Sequence, residues 1–411
     1  MTSTIEKWLQ NLKLFGFCLS LVGSGISISM CSIGCGLYIG SFITSLLLIK
    51  NEIRRVPAFP KFIYLTVLLC SLLASLFVSP YFFVSLRGLG KYLGGFILFY
   101  AGFELGRNDR QLCWIIRVLL LVYFIAALAG VVQDVFGFDL IYFRPAIHSE
   151  NYTRVTGPFK NFNDYASFLA PIFPIAIVLW IQRDKKRLGA FTFLTLLIFL
   201  SSYALYRTLS RGAMVAVLIS LFVLISFFKF RKAAYGGLAV LTGLLWFAPL
   251  QMSLRFRELL HASLSSTHER FLLIDTAISM IKASPVFGLG LNTYSINFPM
   301  YKPRDYTGLM YAHNSYLQMG SEIGLLGISL YLLFLFALLA HLVNTLRGAR
   351  KDSGDALLCA GFVAGVGGLL VNGLFESLLQ STQLRTLFWS LLGVAFALAY
   401  RAKFSKREQL S

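Results

Sequence analysis

Arg207 and Arg211 stand four residues apart in YRTLSRGAMVA, on one helix face at the edge of an apolar run. Like charges so placed repel unless an anion sits between them. Arg207 alone is equally well read as an interfacial cation that snorkels to water. Arg211 directly precedes the apolar run 212–228, beside Ser210 and small residues that allow close backbone approach. Arg270 falls in the first turn of a helix that Ser266 and Glu269 begin as a capping box, where the helix dipole disfavours a cation and an anionic partner offsets the cost. Arg154 lies in TRVTGPFKNFNDYASFLAP, followed by the amides Asn161 and Asn163. Arginines from separated segments can converge on one polyanion. Guanidinium forks hold phosphate oxygens in bidentate fashion and stay charged at any working pH, so diphosphate fits.

A second stretch offers proton chemistry. YAHNSYLQMGSEIGLLG, residues 311–327, places His313, Asn314 and Glu322 at the mouth of a long apolar run. Imidazoles as a class exchange protons near neutral pH, as a general base toward a hydroxyl must, although a lone histidine more often serves structure. Glu322 follows nine residues later, about half a turn around an ideal helix. It orients His313 only if the helix starts or kinks between them; otherwise it is a buried carboxylate suited to hold an arginine.

The elements that must position these groups are membrane spans. The chain has 411 residues, 57% of them hydrophobic and 13% charged, and apolar runs recur throughout. A bilayer crossing takes about 20 such residues, so the chain reads as an all-α polytopic membrane protein with about twelve transmembrane helices. They fall near 12–29, 31–49, 62–79, 82–103, 113–132, 164–182, 188–206, 212–228, 234–250, 323–343, 356–375 and 384–400. The first span runs straight into the second without a cleavage site, so it is expected to be retained. The organisation follows: N-terminal spans in 1–132, a loop over 133–163, central spans in 164–250, a loop region with the candidate catalytic residues over 251–322, and C-terminal spans with a tail over 323–411.

The net charge of +19 is mostly a matter of topology. Of the 37 lysines and arginines, 23 fall in one set of alternating connections and 12 in the other, with Arg87 and Lys91 inside a span. The positive-inside rule then makes both termini cytoplasmic and puts the long connections on the outer face. Basic residues scattered over short connections, rather than gathered on one folded face, argue against a nucleic-acid partner. The six cysteines lie in or beside apolar segments and read as packing residues. His261 and His268 are seven apart, but Ser265, Ser266 and Thr267 intervene and no acidic triplet completes a set, so no metal is expected. Phosphate-cradling glycine loops with a lysine, dinucleotide fingerprints and nucleophile elbows are absent, so no cofactor is expected.

RVTGPFKNFNDYASFL, TLSRGAMVAVL, ERFLLIDTAISMIKASPVFGLGLNTY and AHNSYLQMGSEIGLLGISLYLLF, in this order and spacing, resemble the bacterial O-antigen ligase superfamily, which also holds O-antigen and exopolysaccharide polymerases. The resemblance covers roughly residues 150–345. It implies a GT-C-like membrane glycosyltransferase of the bacterial inner membrane, with an undecaprenyl-diphosphate-linked glycan as donor and a periplasmic active site. For the ligases it implies metal-independent inverting transfer to lipid A-core; for the polymerases the acceptor is another lipid-linked glycan. The family's essential arginines fall on Arg211 and Arg270 and its essential histidine on His313. Arg154, Arg207, Asn163, Arg87, Lys91, Asn314 and Glu322 are expected around the substrate. Ligase is the first expectation and polymerase the alternative. A transporter would use Arg87 and Lys91 as translocation charges, but the spans show no internal repeat and the polar residues cluster at one face rather than at the midplane. A non-enzymatic scaffold would leave Arg211→Ala and His313→Ala silent.

Overall fold

The computed structural model describes residues 2–49, 58, 60–149, 152–182, 188–227, 265–304, 306–308, 310–348 and 353–408. The chain is a helical bundle whose elements are α1 (Thr2–Gly25), α2 (Ile28–Leu48), α3 (Phe62–Val78), α4 (Phe82–Gly106) and α5 (Asp109–Phe136). A two-stranded hairpin follows, β1 (Ile147–Ser149) and β2 (Tyr152–Arg154), antiparallel with Ile147 opposite Arg154. Then come α6 (Phe162–Leu169), α7 (Ile172–Gln182), α8 (Leu188–Thr208), α9 (Arg211–Ser226), α10 (Ser265–Ala283), α11 (Tyr294–Tyr301), α12 (Ser315–Arg347), α13 (Gly354–Asn372), a 3₁₀ turn (Leu378–Gln380) and α14 (Thr382–Glu408).

Among the described residues eight stretches are long and apolar enough to cross a membrane: α2, α4, α5, α6 with α7, α8, α12, α13 and Thr382–Phe404 of α14. Helices α3 and α9 are shorter apolar helices, and the expected first span is α1, which begins ten residues earlier than its apolar run. The expected span 234–250 and His261 lie outside the described residues. The expected single span 164–182 is two helices, because Pro171 cannot donate to the ladder and ends α6. Lys13, counted above among connection charges, is wholly buried within α1 and reaches Glu104 of α4 at 3.0 Å. Desolvation makes such a cation tolerable only with its partner in place.

Two departures from regular helix shape the end that carries His313. Helix α12 breaks at Gly324, whose φ of 70° favours glycine. The break strands backbone groups that the segment 285–290 takes up: Leu289 and Gly290 donate to the carbonyls of Ser321 and Glu322, at 2.9 Å each, and Leu325 donates to the Pro285 carbonyl at 2.7 Å. A Cβ on Gly324 would lie 2.1 Å from the Val286 carbonyl oxygen. Broken helix survives at membrane depth where neighbouring backbone supplies its missing bonds. The second departure is the connection from α5 to α6. The buried Gln133 side chain accepts from the amides of Thr156 and Gly157 at 2.7 and 2.8 Å and donates to the carbonyls of Arg144 and Pro145. One amide thus fixes both arms of the loop on the end of α5.

The apolar core is one continuous cluster through the spans, with aromatic packing around Trp389 against Phe96 and Phe388. A smaller cluster of Leu273, Ala277, Met280, Tyr294, Phe298 and Ala312 holds α10 and α11 as a cap beside α12. The helix expected from Ser266 is present, with its own hydrophobic interior, but starts at Ser265, so Ser266 lies within it and not at its cap.

Candidate functional site

The polar entrance to α12 is explained by what it ties down. His313 has φ 46° and precedes the helix, so helical geometry does not govern its distance from Glu322. Asn314 caps α12, accepting from the amides of Tyr316 and Leu317 at 3.0 Å each, and donates to the Leu374 carbonyl at 3.1 Å. Ser315 donates through its amide to the Gly373 carbonyl at 2.8 Å and through its hydroxyl to the Glu376 carbonyl at 2.7 Å. The Tyr316 hydroxyl donates to the Leu370 carbonyl at 2.6 Å. These groups lock the start of α12 onto the turn between α13 and α14.

That turn brings Glu376 to His313. Glu376 Oε2 lies 2.8 Å from His313 Nδ1, and Oε1 accepts from Arg270 at 2.8 Å. Arg270 also donates to the Phe375 carbonyl at 3.3 Å. The carboxylate is 6% exposed and the imidazole 14%, so their contact is largely shielded from water. An ionised carboxylate only accepts, so Nδ1 carries the proton in this pairing and Nε2 is left as the ring's acceptor. Arg270 lies in the second turn of α10, which starts at Ser265, and its counter-anion is Glu376.

Arg211 opens α9 beside the same turn. A Cβ on the adjacent Gly212 would lie 2.9 Å from Phe375 Cβ and 3.0 Å from Asn372 Oδ1, so only a glycine lets α9 start this close. The start of α9 thus packs on residues 372–375, and Arg270 of α10 reaches residues 375–376.

The remaining expected site residues have other partners. Arg207 pairs with Asp134 of α5, which removes the need for an external anion beside it. Arg154 donates to the carbonyls of Thr208 and Leu209 at 2.8 and 3.3 Å, with its guanidinium over the Phe162 ring, and so holds the α8 to α9 turn. Asn163 is buried in the first turn of α6, where its amide is capped by Asn161 at 2.7 Å. Arg87 is exposed on α4. Lys91 donates to Asn292 Oδ1 at 2.5 Å. Glu322 accepts from the Asn292 amide at 2.9 Å, and among the described residues it bonds neither His313 nor an arginine, the two partners the sequence left open.

A cavity of about 550 Å³ opens in front of His313 and Glu376. Its walls include Tyr142, Arg144, Lys160, Asp164 and Tyr311 on one side and Gln380 to Gln383 on the other. Sequence reasoning missed Glu376, Asp164 and the Arg144 to Lys160 wall. The available signal for Glu376 was its place just beyond the end of an expected span, on the same face as His313. Among the described residues no group of three or more histidine, cysteine or carboxylate side chains could hold a metal ion.

Residues 196–332 match the family model for O-antigen ligase. No curated protein matches the chain. Among solved structures, a chain from a peptidoglycan synthase complex that coordinates polymerization and crosslinking is 17% identical, with 83% of this chain and 97% of that one covered at a TM-score of 0.45. The matched segment contains Arg211, Arg270 and His313, and over it the chain resembles the O-antigen ligase family.

Proposed function

We propose that the protein is an O-antigen ligase that transfers a glycan from undecaprenyl diphosphate to lipid A-core on the periplasmic face of the bacterial inner membrane. The observation that carries the reading is the Arg270–Glu376–His313 chain at the edge of a cavity of about 550 Å³. In this reading His313 Nε2 takes the proton of the acceptor hydroxyl. The oxygen then attacks the anomeric carbon while the bond from that carbon to the diphosphate oxygen breaks, and undecaprenyl diphosphate leaves with the electron pair. Attack opposite the leaving group inverts the anomeric centre. Glu376 holds the ring by Nδ1 and stabilises the imidazolium that forms, as the carboxylate does in histidine-based triads.

Arg211 and Arg270 would receive the diphosphate. A guanidinium carries five N–H donors, and Arg270 spends only part of that set on Glu376 and Phe375, so a phosphate can share it. Preorganised cations stabilise charge that develops on the leaving oxygen, and losing one such group costs about 10²–10³ in rate. The activated diphosphate stores the free energy, so neither nucleotide nor metal is required. Both termini are cytoplasmic in this reading, consistent with His313, Glu376 and the α10 to α11 cap sharing one end of the bundle.

The test is the lipopolysaccharide pattern of a deletion strain. Bare lipid A-core with polysaccharide left on its carrier supports the ligase; core carrying a single repeat supports the alternative, a polymerase using the same donor. Normal lipopolysaccharide in the deletion strain overturns both.

A further inference from the structure

The cavity in front of His313 is more than a gap beside a base. Neither Arg211 nor Arg270 is among its described lining residues, whereas His313 and Glu376 both are. Arg270 grips Glu376 from the oxygen opposite the one that holds His313. Glu376 therefore carries His313 on the oxygen toward the cavity lining and Arg270, outside that lining, on the other.

The far wall of that cavity is a constructed turn. The Asp139 carboxylate accepts from the amides of Ile141, Tyr142 and Arg144 at 2.9, 2.8 and 2.8 Å, which bends the chain tightly enough to put Phe143 at φ 54°. The Tyr142 hydroxyl donates to the Ile26 carbonyl at 2.7 Å and pins the turn to the end of α1. The Arg144 guanidinium then lies over the Tyr142 ring, 4.3 Å from its centroid. Tyr311, 50% exposed, adds a second ring to the lining. Lys160 is exposed just ahead of Asn161, the cap of α6, whose first turn also carries Asp164. Apart from Glu376, which Arg270 neutralises, Asp164 is the one carboxylate among the described lining residues, against Arg144 and Lys160.

We propose that this cavity is the acceptor subsite and that it takes an acidic saccharide, its rings laid on Tyr311 and Tyr142 and its carboxylate or phosphate held by Arg144 and Lys160. The proposal rests on the reading of the protein as a glycosyltransferase and adds the chemical class of its acceptor. Rings offer flat apolar faces to sugar C–H groups, and the cations select the charged member among saccharides of like shape.

The experiment measures binding to the full-length protein in lipid nanodiscs, without turnover. The probes are a trisaccharide of galacturonic acid, its neutral methyl ester, and a maltotriose phosphate that replaces carboxylate by phosphate. The acid is expected to bind roughly tenfold tighter than the ester, the worth of one hydrogen bond to a charged group. Lys160→Gln, at an exposed position with little risk to folding, should erase that preference. Tyr311→Ala should weaken acid and ester alike, by about threefold, as expected for one aromatic contact. Tighter binding of the phosphate than of the carboxylate assigns the charge to a phosphorylated saccharide, and the reverse order to a uronate. Equal binding of acid and ester, a silent Lys160→Gln, or no binding of any probe overturns the subsite. Selective binding by a protein that forms no glycosidic bond would instead sink the ligase reading and leave the subsite standing.

Discussion

Glu322 and Glu376 are both buried, at 2% and 4% exposure, and both belong to the end of the bundle where α12 begins. Their surroundings differ in one respect that matters. Glu322 faces a small void of about 10 Å³, room for a single water at most, with the Asn292 amide, Lys91 and the broken backbone of α12 around it. Glu376 faces a cavity of about 550 Å³ and holds an imidazole that lines the same space. Burial and pairing alone do not make a carboxylate part of a site. Glu322 fastens a kink, whereas Glu376 holds an imidazole beside open volume, and under the proposed function that volume is what admits the substrate.

The sharpest way to break this comparison is to remove the base. His313→Ala should lower glycan transfer by roughly 10²–10⁴, the usual worth of a positioned acid or base, while the protein still accumulates in the membrane. Normal lipopolysaccharide in that variant would make His313 structural. Arg211→Lys comes next. If Arg211 forks a diphosphate, the lysine should be nearly as inactive as Arg211→Ala, about 10²-fold down, because a point charge does not reproduce the bidentate geometry. Full activity with lysine would reduce its role to plain charge.

The two carboxylates can then be compared directly by the same isosteric change. Glu376→Gln keeps the shape but removes the charge and turns one of the two acceptor oxygens into a donor, so His313 Nδ1 and Arg270 can no longer both be satisfied; transfer per folded molecule should fall by an order of magnitude or more, with thermal stability altered by only a few degrees. Glu322→Gln should show the reverse: transfer per molecule unchanged and stability lowered by about 1–3 kcal/mol, as a buried donor loses its charged partner. If the two variants behaved alike, the distinction between a fastening and an aiming carboxylate would fail. The smallest effect is expected at Arg207, whose partner is Asp134 of α5. Arg207→Lys should retain most transfer, since a partly exposed ion pair contributes about 0–1 kcal/mol; a loss as large as that of Arg211→Lys would return Arg207 to the anion site.

Much of the architecture was legible because lipid imposes it. Runs of about 20 apolar residues mark spans whatever their neighbours do, so α2, α5, α8, α12 and α13 fall where their runs predict. Capping is equally local: Asn314 and Asn161 serve the helices that follow them in sequence. The choice of His313 and Arg211 likewise rested on residue type and position at a span end.

What the sequence by itself determined is therefore the set of helices, their ends, and which polar groups gather at one end of the bundle. Tertiary structure decided the pairings. Glu376 meets His313 across 63 residues and Arg270 across 106, through a turn with no periodicity to read. Glu322, nine residues from His313 and left open between that histidine and an arginine, accepts instead from the amide of Asn292. The physical reason is that a buried charge goes to whichever donors the packing brings within about 3 Å, and packing between distant segments leaves no trace in local spacing.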